Sequence, residues 1–101
     1  MTKQEFGRRL AALRAGKGVS ARDMSISMGQ SPGYINNIEN GVNYPSMQGF
    51  FYICEFLRIQ PRDFFDFEAT DPARLQQLAR AAKGLTGEQL DHLIALANGL
   101  Q

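Results

Sequence analysis

Apolar positions along this chain recur every three or four residues, and no stretch shows the one-in-two alternation of a half-buried strand. Phe6, Leu10 and Leu13 fall on one helical face. Thr2 with Glu5 three residues later is the capping-box pattern that opens this first helix, and Gly16 and Gly18 end it. Ser20 with Asp23 opens a short second helix with Met24 and Met28 inward, and Gly29 stops it because glycine accepts the left-handed conformation of many helix ends. Ser31-Pro32 predicts a third helix over about 31–40, with serine as N-cap and proline at the first helical position, where its missing N–H costs nothing. Ile35 and Ile38 then face the core, and Gly41 closes the helix. The loop Val42-Asn43-Tyr44-Pro45 leads to Ser46, the N-cap of an apolar fourth helix from Met47 to Leu57. Gln60-Pro61 starts a short fifth helix, Arg62-Asp63-Phe64-Phe65. Phe50, Phe51, Phe56, Phe64 and Phe65 are expected in the core of this bundle.

After Phe67 the texture changes. Asp71-Pro72 caps a helix with Leu75, Leu78 and Ala82 at helical spacing, Gly84 breaks it, and Thr86 with Gln89 caps another. That last helix aligns Leu90, Leu93, Ile94, Ala97 and Leu100 in one stripe. The expected architecture is all-α: a five-helix bundle in a domain of residues 1–67, then a C-terminal helical hairpin in 68–101.

The length of 101 residues suits one modest core, and the 44% hydrophobic share is that of an ordinary globular protein. No apolar run approaches the roughly 18 residues of a membrane span, and the polar Thr2-Lys3-Gln4-Glu5 after Met1 is no signal peptide, so a cytoplasmic protein is expected. A single cysteine, Cys54, excludes an internal disulfide and a multi-cysteine zinc site; in the run Phe50-Phe51-Tyr52-Ile53-Cys54 it reads as core. The only histidine, His92, lies far along the chain from it. There is no metal-ligand cluster, phosphate-binding glycine loop or nucleophile–base spacing, so neither an enzyme nor a cofactor is expected. Net charge is only +1, but residues 1–60 carry seven cations against four anions, net +3, while 61–101 carry four against six, net −2. A basic front and an acidic back fit a chain whose front alone meets phosphates.

Two short helices joined through Gly29-Gln30 inside a small helical bundle form a helix-turn-helix layout. With Ile35 and Ile38 inward, the second helix exposes Gly33, Tyr34, Asn36, Asn37 and Asn40, and in such motifs its first residues meet base edges in the major groove. Asparagine suits that task, because its amide pairs bidentately with adenine.

Residues 6–66 resemble the Cro/phage-repressor type of helix-turn-helix domain, the xenobiotic-response-element family. The resemblance is carried by Leu10-Ala11-Ala12-Leu13-Arg14, Val19-Ser20, Met28-Gly29-Gln30-Ser31, Tyr34-Ile35-Asn36-Asn37-Ile38-Glu39-Asn40-Gly41, Pro45-Ser46-Met47 and Phe56-Leu57-Arg58-Ile59, in order and spacing. It implies an ion pair of Arg14 with Glu39 that locks the third helix to the bundle. It implies a phosphate at the start of the second helix, near Ser20, Ala21 and Arg22. It matches Ser31, Pro32, Gly33, Tyr34 and Asn37 to base- and backbone-contacting positions, and places Asn40, Asn43 and Tyr44 across the groove. Ala21 replaces a glutamine common in that family, and Pro32 and Gly33 stand where related repressors carry long polar readers. The third helix has no lysine or arginine, so readout falls to Asn36, Asn37, Tyr34 and DNA shape. Arg8 and Arg9 read as a solvated helix face.

The function expected is a sequence-specific, repressor-like transcriptional regulator of bacterial or phage type that binds double-stranded DNA. The alternative is an antitoxin-like or adaptor protein that uses the same fold for protein contacts. The stripe Leu90, Leu93, Ile94, Ala97, Leu100 is too wide for a hairpin to bury alone, so it must dock on its own domain or on a second copy. A homodimer is the favoured reading, since a two-fold axis would set the reading helices about 34 Å apart on a palindromic site. No small-molecule effector is evident.

Overall fold

The computed structural model describes residues 1–68 and 71–101. Among them lie seven helices and no strand: α1 Lys3–Lys17, α2 Ala21–Ser27, α3 Tyr34–Glu39, α4 Met47–Leu57, α5 Pro61–Phe64, α6 Pro72–Ala82 and α7 Gly87–Gly99. The all-α reading, with five helices and then a helical hairpin, is what the chain adopts.

Local chemistry sets most of these boundaries. The Thr2 hydroxyl accepts the Glu5 N–H at 3.0 Å and the Glu5 carboxylate accepts the Thr2 N–H at 3.3 Å, so the capping box is complete. Gly18 ends α1 with φ 71°, in the region where a side chain would be strained. Ser20, Ser46, Asp71 and Thr86 each accept the N–H three residues on, satisfying one orphan donor at the starts of α2, α4, α6 and α7.

Leu10, Met24, Ile35, Ile38, Ile53, Leu57 and Phe64 are fully buried and make the centre of the core. Phe6 from α1 fills one end, with ring centroids 4.7 Å from Phe64 and 5.8 Å from Phe50. Two of the five phenylalanines expected there are not in it. Phe51 and Phe65 are about half exposed, and each leans on Phe50 from the outside. Phe51 falls on the outer side of α4, whose buried residues are Gly49, Phe50, Ile53, Cys54 and Leu57. Phe65 lies just past the end of α5, beyond the turn that buries Phe64.

Arg9 is a larger departure from expectation. It is buried, not solvated: Nε donates to the Phe64 carbonyl at 2.5 Å, and Nη2 donates to those of Asp63 at 2.8 Å and Asp66 at 2.7 Å. A guanidinium thus closes the C-terminal end of α5, where carbonyls lack helical partners and a cation is favoured. Its outer side lies against the Phe67 ring, 5.6 Å from the centroid. Burial lowers the Arg9 pKa, and the nearby Asp66 carboxylate opposes that shift.

Cys54 packs in the core, and burial chiefly, with the charge of Asp63 second, raises its thiol pKa from 9.0 to about 11. The reactive thiolate is therefore scarce in the folded protein. A maleimide reagent at pH 8 should label the native chain far more slowly than the urea-unfolded one. Equal rates would show that Cys54 is accessible in the native state.

Among the described residues, the hairpin meets the bundle at the start of α6. Pro72 is buried and Ala73 packs on the core at the start of α6, bordering Leu13, Leu57 and Ile59. No residue of α7 is buried.

Candidate nucleic-acid interface

The expected interface is built on α2 and α3. At the start of α2, Ser20 and Arg22 are exposed and Ala21 is half-buried against the core. Gly29 makes the turn with φ 74°, its N–H donating to the Ile26 carbonyl at 2.9 Å, while the Gln30 N–H donates to that of Ser25 at 2.9 Å. These bonds close α2 and redirect the chain within two residues.

The third helix begins later than the sequence suggests. It runs Tyr34–Glu39 with Gly33 as N-cap, so Ser31 is not the cap and Pro32 is not its first residue. Ser31-Pro32-Gly33 instead form a turn in which the Tyr34 N–H donates to the Ser31 carbonyl at 3.1 Å. Gly33 offers no side-chain acceptor. Ser25 supplies one from outside the helix: its buried hydroxyl accepts the Ile35 N–H at 3.0 Å and donates to the Ala21 carbonyl at 2.7 Å. One hydroxyl therefore satisfies an orphan donor of α3 and fixes α3 against α2. The serine–proline pair outweighs this in a local reading, because a cap from ten residues away leaves no mark next to the helix it serves.

The far end of α3 is held by α1. Arg14 Nε donates to Glu39 Oε2 at 2.6 Å and Nη2 to Oε1 at 2.9 Å, a two-point fork, while Nη1 donates to the Val19 carbonyl at 2.8 Å. The hydrogen bonds to Glu39 raise the Arg14 pKa against the opposing effect of burial. A second device lies beside this pair. A Cβ on Gly7 would overlap the Glu39 carbonyl oxygen and stand 2.6 Å from that of Ile38, so α3 closes on α1 over bare backbone.

Clamped at both ends, α3 leaves Asn36, Asn37 and Asn40 exposed, together with Ser31, Pro32 and Gly33 before it. Tyr34 is different. Its ring packs against the core and its hydroxyl lies over Gly49 of α4; burial raises the phenol pKa. Asn43 and Tyr44 border the same hollow as Tyr34, along with Gln30. The Asn43 amide donates to the Tyr44 carbonyl at 3.0 Å, and the Tyr44 hydroxyl to that of Met1 at 2.7 Å. Glu39 is the single charged residue of α3, and Arg14 occupies it. The exposed part of the helix thus offers amide groups without net charge.

Gly7 and Ser25 stood outside the sequence expectations, and Arg9 was expected on a solvated face. A glycine inside an amphipathic helix is itself a sign of close approach, and Gly7 could have been found that way. Ser25 and Arg9 had no such mark, since their partners are distant in sequence.

Against known families, residues 5–64 match the helix-turn-helix domain. The chain belongs to that family. The helix-turn-helix domain thus takes in α1 to α5, and its match stops before α6 and α7. No curated protein and no solved structure matches the chain. Among the described residues, no helix is long and apolar enough to cross a membrane.

Proposed function

We propose that this helix-turn-helix chain is a sequence-specific, repressor-like transcriptional regulator of the Cro/phage-repressor type, acting in the cytoplasm on double-stranded DNA as a dimer. The division of labour follows the chain: residues 1–67 bind DNA and residues 68–101 join two protomers. The observation that carries this reading is the double clamp on α3, by Ser25 at its start and by Gly7 and Arg14–Glu39 at its end. A helix fixed this firmly with its outward side free presents Asn36, Asn37 and Asn40 in a preorganised array, and amides are suited to adenine edges. Ser20, Ala21 and Arg22 would meet the backbone through the free N–H groups of the α2 start and one cation. Ser31, Pro32 and Gly33 give close approach without long side chains. Tyr34 would act by shaping the surface beside Asn37, since its ring is engaged with the bundle, and Asn43 and Tyr44 would follow the groove edge. Occupancy of a promoter site is the mode of action.

The test is selection of duplexes from a random pool with the wild type and Asn37→Ala side by side. The wild type should enrich a two-fold-symmetric site, and Asn37→Ala should bind that site about 10- to 100-fold more weakly, with relaxed preference at one base pair in each half. A folded protein that enriches no sequence would sink the proposal. It would favour the adaptor reading, to which the absence of cations on α3 already lends weight.

A further inference from the structure

Both α1 and α4 meet the third helix through a glycine. Gly7 of α1 admits the Ile38 and Glu39 carbonyls at the end of α3. Gly49 of α4 faces its first residue: a Cβ there would stand 2.5 Å from the Tyr34 hydroxyl, 3.1 Å from Ser46 Oγ and 3.6 Å from Pro45 Cβ. Gly49 is buried in the first turn of α4, where its N–H donates to Ser46 Oγ at 3.0 Å. Glycine weakens a helix interior, so its place there needs a reason outside the helix.

The tyrosine oxygen supplies one. An ordinary carbon–oxygen contact is about 3.3 Å, so a methyl group at position 49 would displace the hydroxyl by about 0.8 Å. The push cannot end there. The side chain turns about two bonds only and its ring packs on the core, so the displacement passes to the Tyr34 Cα. Tyr34 opens α3, and Asn37 lies one turn further along. Binding groups need to be held within about 0.5 Å of their working geometry, and a shift of this size exceeds that.

We propose that Tyr34 and Gly49 are positioning residues for base reading: the tyrosine is a spacer whose length, set against bare backbone on α4, fixes how far the start of α3 stands into the major groove. The inference rests on DNA reading by α3 and adds the device that sets its depth. The phenol oxygen acts from beneath the helix, not on a base. The contact differs from that at Gly7 in one respect. At Gly7 backbone meets backbone, and no side-chain change in α3 relieves an added methyl group. At Gly49 the nearest obstacle is a single side-chain oxygen, and phenylalanine removes it.

The experiment is a double-substitution cycle on the full chain: wild type, Gly49→Ala, Tyr34→Phe and the chain carrying both, each checked for helix content by circular dichroism. Binding is measured to the duplex that the wild type selects. Gly49→Ala should bind about 10-fold or more weakly and lose preference at the base pair that Asn37→Ala also relaxes. Adding Tyr34→Phe should recover most of that loss, so that the double variant binds better than Gly49→Ala alone. Two-dimensional NMR without DNA follows α3 itself. The backbone amide signals of Ile35, Asn36 and Asn37 should move in Gly49→Ala and return towards their wild-type positions in the double variant.

Wild-type binding by Gly49→Ala would overturn the proposal. So would a loss from Tyr34→Phe that is equal with and without Gly49→Ala, since the hydroxyl would then act on the DNA rather than against α4. Amide signals that stay in place would overturn it while leaving base reading intact. Signals that move and return, in a chain that selects no duplex, would uphold the spacer and end the base reading. If Gly49→Ala does not fold, the double variant carries the test: it folds if the tyrosine oxygen is the obstacle, and its failure to fold overturns the contact.

Discussion

Gly7→Ala should be among the most damaging single substitutions in the helix-turn-helix domain, although alanine is the better helix former. The propensity gain in α1 is about 1 kcal/mol. Against it, the new methyl group would collide with the backbone carbonyls of Ile38 and Glu39. Those atoms cannot rotate aside as a flexible side chain would. Either α3 moves as a body, breaking the Arg14–Glu39 fork, or α1 bends. Overpacking of this kind typically costs about 1–3 kcal/mol, and a rigid backbone on the other side places Gly7 at or above the top of that range. The net expectation is a loss of about 2–3 kcal/mol in urea unfolding, with weaker binding to any selected duplex beyond what the stability loss explains. Gly16 is the internal control. It lies in the same helix, and a Cβ there meets nothing within 4 Å, so Gly16→Ala should stabilise by about 0.5–1 kcal/mol. If both substitutions stabilise, α1 and α3 are not in close contact in solution.

Glu39→Ala is the second large effect expected. The Glu39 side chain is 8% exposed and accepts two bonds from Arg14, whose side chain is 21% exposed. Its removal leaves a guanidinium in a mostly closed site with only the Val19 carbonyl as partner. Loss of one member of a fully buried pair costs about 3–5 kcal/mol; because Arg14 reaches water on one side, about 2 kcal/mol is the proper expectation. The penalty belongs to the stranded charge rather than to the missing attraction. The doubly substituted chain, Arg14→Met with Glu39→Ala, should therefore be more stable than Glu39→Ala alone. Urea denaturation of the two single and one double variants measures the coupling directly. A double variant whose loss equals the sum of the single losses would mean that the pair contributes nothing as a pair.

Most of the helices were legible because their signals are local. Thr2, Ser20, Ser46, Asp71 and Thr86 each bond an N–H three residues away, so a cap and its helix start appear together in a short window. The same holds for Gly18, Gly29, Gly41 and Gly84, whose positive φ values end segments where the apolar period also stops. The start of α3 misled for the converse reason. Ser31-Pro32 has the local form of a helix start, yet the helix opens two residues later, where Ser25, ten residues before Ile35, accepts the free Ile35 N–H.

What the sequence determined by itself is the set of segments, their order and the exposed asparagines, set by spacing along single helices, while the Arg14–Glu39 pair between two helices was implied by the family resemblance. The tertiary structure alone decided which faces meet and what they tolerate. It turned Arg9 inward to close α5, left Phe51 and Phe65 outside, and brought bare backbone at Gly7 against α3. The Arg9 and Gly7 contacts join atoms more than thirty residues apart, while Phe51 falls on the outer side of α4 and Phe65 just past the end of α5. A periodic pattern shows that a helix has an apolar side; only packing in three dimensions shows what that side is pressed against.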